Sequence, residues 1–339
     1  MAGLDGAIGS TMVAGTFLAR QGNAPTHGLL TEAWRERLEL AGLDQLMFGG
    51  WDVRGENLFE AATRNAVLDP RRLQSVAKPL AGVLPWAAPR RDLKAGEKQI
   101  VRDIEKFRKR NKLSSVVVLN LLPTGRHKES QLYARAAAEA ECPFINFTPN
   151  DCGEDALGGI PFCGRDGKTG QTWLKSVLAP AFRARGLRVT GWYSTNLLGN
   201  EDGRVVSDPA QGKGKIASKT KLLGDILGYE PHHTVQISFY PPRGDNKESW
   251  DAIDFEGFLG LPMQVKVNGL WRDSILAAPM CLDLARLMEL AVRRGERGPQ
   301  DWLSFYFKSP YKRADSAALS QEFHKQEQRL LQYLSRAGR

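Results

Sequence analysis

A chain of 339 residues has room for two domains at ~150 residues each, and its 42% hydrophobic and 25% charged residues exclude a disordered or fibrous protein. The longest apolar stretch, Val116 to Leu122, is interrupted by Asn120 and falls far short of the ~20 residues of a membrane span. With no basic and apolar leader at the start, the expectation is a cytoplasmic protein that does not touch a membrane.

The 47 Lys and Arg residues against 38 Asp and Glu give a net charge of +9, which suits nucleic acid, a membrane surface or small phosphorylated ligands. The most basic stretch, Lys106 to Lys112, closes a helix-like segment, where cations complement the helix dipole. It carries no interleaved aromatics and no nucleic-acid motif, so small anionic ligands are the expectation, and a basic nucleic-acid module stays as a further reading that would require salt-sensitive binding to DNA or RNA. The cysteines, Cys142, Cys152, Cys163 and Cys281, form no C-x-x-C pair and have no histidine at zinc spacing, so neither a metal site nor a disulfide framework is expected.

In chain order, Gly3-Leu4-Asp5-Gly6-Ala7-Ile8-Gly9-Ser10-Thr11 opens the chemistry. Glycines let backbone N–H groups approach a pyrophosphate, and Ser10-Thr11 are read as the opening of a helix whose N-terminus attracts anions. The spacing is G-x-x-G-x-x-G, which equally fits a tight turn without a ligand. Met1 lies two residues before the first glycine, so the strand that normally precedes such a loop has no residues to build it, and Asp5 puts a carboxylate where a phosphate would approach. Leu46 to Asp52, Val116 to Leu122 and Phe144 to Phe147 read as strands, and Asn57 to Asn65 and Lys128 to Ala140 as helices between them. That alternation predicts a parallel sheet. Asp52, ending a strand-like run, can accept ribose hydroxyls and disfavour a 2′-phosphate, or can cap the following helix.

Asp166-Gly167-Lys168-Thr169-Gly170-Gln171-Thr172 precedes an apolar helix read from Trp173, and is either an anion loop or a helix cap. It is not a Walker A loop. Lys215 and Lys219 stack at i,i+4 on a stripe continuing into Leu222 and Ile226, with Lys213 and Lys221 pointing elsewhere. Such a pair is either solvated or held together by an anion, and crowded, partly desolvated ammonium groups suit proton transfer. Val235 to Tyr240 and Met263 to Val267 alternate with period two, predicting an open antiparallel sheet with one face on a helix. Ser274 to Val292 reads as a long apolar helix returning to the first domain, and the polar segment from Arg313 as helical.

These residues carry a resemblance. Gly50-Trp51-Asp52-Val53, Pro143 to Asn146, Gly170-Gln171-Thr172, Asn196 to Gly203, Lys215 to Lys219, Gly244 to Lys247, Asp273 to Pro279 and Phe307 to Pro310 resemble, in number and order, the signatures of the myo-inositol-1-phosphate synthase family over almost the whole chain. The resemblance implies an α/β fold: a Rossmann-type NAD-binding domain over 1–190, an inserted α+β catalytic and tetramerisation domain over 191–272, and a return over 273–339. It implies conversion of D-glucose 6-phosphate to 1L-myo-inositol 1-phosphate in a homotetramer, by oxidation at C5 with NAD, enolisation, aldol closure onto C1 and re-reduction.

Catalytic positions of the family fall on Lys215, Lys219, Lys247, Lys308, Asp166 and Asp273. Substrate positions fall on Thr169, Gly170, Gln171, Thr172, Asn196 and Asn200, and cofactor positions on Gly6, Ala7, Ile8, Gly9, Ser10, Thr11, Asp52, Asn120 and Asn146. No metal is needed if ammonium groups neutralise the phosphate and the developing oxyanions. Glu201, Leu197 and Asn150-Asp151 depart from residues common in the family, which keeps open a related cyclase making a different cyclitol phosphate. A non-catalytic NAD- or phosphate-binding oligomer is the reading from another class, and retention of four lysines and two acids argues against it.

Overall fold

Parallel strands alternating with helices are what the computed structural model contains in its N-terminal half; it describes residues 1–89, 93–199, 222–316 and 318–335. Two compact units emerge. The first holds Met1–Gly167, Ala277–Ala317 and Gln332–Arg339, and the second Lys168–Leu276 and Ala318–Leu331. The change therefore falls after Gly167 rather than near residue 190. The cause is the helix at Gly170–Ala184, whose Ala179 packs with Val189 and Trp192 of the following strand.

In the first unit, β1 (Trp51–Asp52) pairs in parallel with β2 (Trp86–Ala87). A second parallel set contains β3 (Val118–Asn120), β4 (Phe144–Asn146), β5 (Pro161–Gly164) and β10 (Gly298–Pro299), in the order β10-β5-β4-β3. Ala2 joins the two sets. Its N–H donates to Leu119 O and its carbonyl accepts from Leu121 N, both at 2.9 Å, while Gly3 N donates to Trp51 O at 3.0 Å and Trp51 N to Met1 O at 2.9 Å. The strand expected to have no residues is thus represented by Met1 to Gly3. The resulting order, β2-β1-Ala2-β3-β4-β5-β10, is that of a doubly wound sheet whose crevice lies at the central segment.

Helices cover both faces. On one side α1 (Ala7–Arg20) and α2 (Leu58–Asn65), with the short α3 (Pro70–Ser75) and α4 (Ala77–Ala81), bury Leu4, Val13, Leu18, Leu58, Leu73 and Leu80. On the other, α5 (Leu93–Arg110) and α6 (His127–Glu139) bury Ile100, Ile104, Leu132 and Tyr133 against Trp51, Val118 and Phe144. The alanines of α6, Ala134, Ala136 and Ala137, are buried there with them, since small side chains allow a helix to lie close to a sheet. Asn57 caps α2, accepting from Phe59 N and Glu60 N, while Glu60 reaches back to Asn57 N.

In the second unit, β6 (Arg188–Leu198), β7 (His232–Phe239), β8 (Asn246–Glu256) and β9 (Pro262–Arg272) form a sheet in the order β7-β6-β8-β9. It is mixed rather than antiparallel throughout. β6–β8 and β8–β9 are antiparallel, but β6–β7 is parallel, because the connection between them is long and includes helical residues 222–227, as a crossover requires. One face buries Val189, Trp192 and Ile253 against α7 (Gly170–Ala184) and Leu222, Leu223 and Ile226. Helix α8 (Asp273–Arg293) starts among the residues of the second unit and ends among those of the first, the return the apolar pattern predicts. The last helix, α9, spans Phe323–Ser335 and begins ten residues later than the polar pattern suggests.

Candidate active site

The glycine turn follows directly from Ala2. Helix α1 begins at Ala7, with Gly6 as its cap and no side chain capping its first amides. Ser10 and Thr11 therefore sit inside the helix rather than at its opening, and both are buried. Ser10 Oγ donates to Gly6 O at 2.8 Å and accepts from Asn65 Nδ2 at 2.9 Å. Gly9 admits no side chain, because a Cβ there would lie 2.5 Å from Leu4 O. Glycine, open helix amides and an acid at the end of β1 are what a dinucleotide cradle consists of, so these residues fit NAD.

Asp52 lies at the strand end as its spacing implies. Its Oδ2 accepts from Asp5 N at 3.0 Å and its Oδ1 from Val53 N at 2.7 Å. The Asp5 carboxyl is buried, with Arg64 Nη2 3.6 Å away, and Arg64 Nε is shared with Glu56 at 2.9 Å. Burial, then the hydrogen bond and charge of Asp52, push Asp5 up to about 7, against the pull of Arg64 and Arg54.

Asn120 and Asn146 end β3 and β4 and are fully buried. Asn120 Nδ2 donates to Ser130 Oγ at 3.1 Å and to Asn146 Oδ1 at 3.2 Å, and Asn146 Nδ2 donates to Asn150 O at 2.7 Å and Tyr311 OH at 3.0 Å. Both amides are thus engaged within the protein.

Also in the first unit, Asp166 and Lys308 meet. Their backbones pair, with Lys308 N donating to Asp166 O at 2.8 Å, and Lys308 Nζ donates to Asp166 Oδ1 at 2.8 Å. A bridge between Gly167 and Phe307 continues the pairing.

The second unit holds the other half of the expected residues. Helix α7 begins at Gly170, three residues before Trp173, with Thr169 as its cap position and no side-chain cap bond. The Gly170-Gln171-Thr172 run is therefore its first turn, which answers the choice between loop and cap: Thr169 occupies the cap without capping. Gly170 has φ +56°, and a Cβ there would lie 3.8 Å from Lys247 Nζ and 3.9 Å from Asp273 Oδ1. Lys247 Nζ and Asp273 Oδ2 are 3.5 Å apart. Ser274 Oγ donates to Asp245 Oδ1 at 2.8 Å, and burial raises the Asp245 carboxyl above its usual range. Gln171 and Asn196 are buried, and Asn196 Nδ2 donates to Gln171 Oε1 at 2.6 Å. Asn200, Lys215 and Lys219 lie outside the described residues, as do Lys213, Lys221 and Glu201.

Several buried charges escaped the sequence reading, three of them in the second unit near α7 and β8. Lys168 donates to Gln326 Oε1, and burial lowers its ammonium to about 7. Lys175 contacts His233 Nε2 at 2.7 Å, and burial lowers it to about 8 against the charge of Asp251. Asp251, on β8, is wholly buried. The available signal was a carboxylate on the same face of β8 as Ser249, Ile253 and Phe255. Among the described residues no cluster suited to a metal ion occurs, no helix is long and apolar enough to cross a membrane, and the four cysteines are buried free thiols.

Two family models match, both described as myo-inositol-1-phosphate synthase: an NAD-binding model over residues 1–89 and a second over residues 170–274. The chain is 36% identical to inositol-3-phosphate synthase 1 of Bacteroides thetaiotaomicron, over 91% of this chain and 88% of that one. It is 29% identical to inositol-3-phosphate synthase 1 of Populus euphratica, over 86% and 74%. The fold matches the crystal structure of inositol-3-phosphate synthase from Caenorhabditis elegans with a TM-score of 0.89 at 23% identity, covering 99% of this chain and 84% of that chain. It also matches a myo-inositol-1-phosphate synthase-related protein from Thermotoga maritima with a TM-score of 0.78 at 21% identity, covering 98% and 97%. An identity of more than a third across nine-tenths of the chain, on a sheet with this crevice, makes the chain a member of the myo-inositol-1-phosphate synthase family.

Proposed function

We propose that this chain is an NAD-dependent inositol-3-phosphate synthase that converts D-glucose 6-phosphate to 1L-myo-inositol 1-phosphate. The observation that carries the reading is the Lys247–Asp273 pair beside Gly170, at the open start of α7, in a chain whose other unit has a dinucleotide cradle. NAD, when bound, supplies reversible hydride removal at C5. In the same reading the amides of Thr169 to Thr172 bind the phosphate, as helix N-termini bind anions. Lys247 polarises an oxygen at the reacting end of the sugar, with Asp273 fixing the ammonium. Lys308, held by Asp166, contributes a further cation for the phosphate. Lys215 and Lys219 manage the proton leaving C6 and the oxyanion it creates.

The reading includes a homotetramer in the cytoplasm. The four buried thiols suit a reducing compartment. For assembly, β9 is an edge strand, and it and the preceding turn expose Phe258, Leu259, Leu261, Met263 and Leu270, more apolar edge than a solitary sheet ordinarily leaves uncovered. Sedimentation equilibrium tests the assembly.

The activity is tested by incubating the protein with glucose 6-phosphate and substoichiometric NAD⁺ and identifying the product by NMR. Many turnovers per NAD⁺ are expected, with deuterium at C5 of the substrate retained. Free NADH accumulating in step with substrate consumed would make the protein a sugar-phosphate dehydrogenase, and a different cyclised product would move it to another cyclitol.

A further inference from the structure

Beneath Gln171, the strands β6 and β8 turn Trp192, Ser194 and Asn196 and, opposite them, Ser249, Asp251 and Ile253 toward one face, with Ser194 directly across from Asp251. Three donors converge on Asp251. Trp192 Nε1 donates to Oδ1 at 2.9 Å, Ser194 Oγ to Oδ1 at 2.6 Å, and Gln171 Nε2 to Oδ2 at 2.8 Å. Gln171 Oε1 then accepts from Asn196 Nδ2 at 2.6 Å. Asn196 is fully buried, and its Oδ1 has no hydrogen-bond partner among the described residues.

We propose that Asp251 is a positioning residue, whose carboxylate sets the direction of the amide chain through Gln171 so that Asn196 presents an acceptor to a hydroxyl group of the sugar phosphate. This rests on the reading of Asn196 as a substrate-side residue. The argument is one of donor and acceptor type. The Asp251 carboxylate accepts from the Trp192 N–H and the Ser194 hydroxyl, and the Gln171 amide likewise turns its NH₂ toward it and its oxygen away. That oxygen accepts from the NH₂ of Asn196, which leaves the buried Asn196 Oδ1 as the unpartnered end of the chain among the described residues. Thr195 O, 3.4 Å from Gln171 Nε2, adds a weaker acceptor on the same side.

Asn at 251 would reverse the sequence. Trp192 Nε1–H can only donate, so the one remaining acceptor at 251 stays with Trp192 and the new NH₂ faces Gln171. Gln171 must then flip, Asn196 must follow, and position 196 presents a donor where it presented an acceptor. A hydroxyl can answer either, but it loses the arrangement in which its own hydrogen bonds were matched, and a buried acceptor left without its donor is what gives a site its discrimination against a missing hydroxyl.

The test measures binding of glucose 6-phosphate and its 2-, 3- and 4-deoxy analogues by calorimetry to the enzyme loaded with NADH, which prevents turnover. For the unaltered chain, one deoxy analogue should bind on the order of tenfold more weakly than the parent compound. Asp251→Asn should bring that ratio close to one, and so should Gln171→Met, which interrupts the chain without touching Asp251. Ser194→Ala, which removes a donor to Asp251 outside the chain, should keep the ratio. In an Asn196→Ala background, Asp251→Asn should change nothing further. Retained discrimination in Asp251→Asn, or additive effects of the 251 and 196 substitutions, would overturn the positioning role and show a merely structural carboxylate. If Asn196→Ala leaves every ratio unchanged, the substrate-side reading of Asn196 fails and takes this inference with it.

Discussion

Lys308 Nζ donates a 2.8 Å hydrogen bond to Asp166 Oδ1 across 142 residues of sequence, and the backbones of the same two residues are themselves paired. The ammonium is therefore fixed at its base and at its tip, the preorganisation that makes a cation effective toward developing negative charge. Lys308→Met is expected to lower kcat by roughly 10²–10³ while leaving Tm within a few degrees, the loss seen when a preorganised donor is removed. Lys247, whose partner Asp273 stands further off at 3.5 Å, should show a comparable loss in Lys247→Met. Steady-state kinetics with thermal melts checks both, and an unchanged kcat would remove either lysine from the chemistry.

The choice of cofactor is expected to rest on Asp52. A carboxylate at the end of β1 accepts ribose hydroxyls and repels a 2′-phosphate, so NAD should bind more tightly than NADP in competition at matched salt. Asp52→Ser should narrow the gap. Tighter binding of NADP by the unaltered chain would refute the assignment.

Asp5 makes stability depend on pH. Its folded-state pKa, about 7, lies above that of an unfolded carboxyl, so the proton it holds stabilises the fold fully below pH ~4 and this contribution is lost as pH rises through about 7. Asp5→Asn should therefore melt higher than the unaltered protein at pH 8, and the advantage should shrink steadily as pH falls toward 4. Calorimetry across that range provides the check, and a gap independent of pH would contradict it.

Asp283 ties residues 30–31 to α8 in the first unit. Its carboxylate accepts from Leu30 N at 2.9 Å, Thr31 N at 3.0 Å and Thr31 Oγ1 at 2.5 Å, and burial pushes it up to about 6 against those bonds and the nearby Arg286. Arg286 is itself wholly buried and donates to Thr31 Oγ1 at 2.9 Å and Glu32 Oε1 at 2.5 Å. Asp283→Ala strands two backbone donors and weakens the compensation of a buried guanidinium, which should cost about 3–5 kcal/mol. Denaturant unfolding measures it, and a loss below 1 kcal/mol would mean that the cluster relaxes.

What the sequence made legible follows from where local rules agree with tertiary ones. Within the runs Leu46 to Asp52, Val116 to Leu122 and Phe144 to Phe147 the strands are Trp51–Asp52, Val118–Asn120 and Phe144–Asn146, apolar up to their last residue because both faces of a parallel sheet are covered. The helix starts were misjudged at Ser10 and Trp173 because glycine reads as a turn residue, whereas Gly9 and Gly170 lie in first turns where a side chain would meet Leu4 O or force a left-handed backbone into strain. β6 and β8 gave no clear alternation, because the face they bury carries Ser194, Asn196, Ser249 and Asp251, polar residues held inside by hydrogen bonds to one another and to Gln171, Trp192 and Trp271. Hydrophobic periodicity is silent about such a face, so nothing in it singles out Asp251, whereas Asn196 stands out only through the motif around it.

The slot held by Ala2 constrains the order in which the first unit can assemble. Its two neighbours, Trp51 and Leu119 to Leu121, are distant from it and from each other in sequence, so each pairing closes a long loop, and the second closure has to wait until β3 is in place. A single residue offers little enthalpy to offset that entropy in advance. β1 with β2, and β3 with β4 and β5, close shorter stretches of chain and can pair first, and the central segment then docks between them. Amide hydrogen exchange at Ala2, Trp51 and Leu121 would accordingly report the last joint of the sheet to close and the first to open.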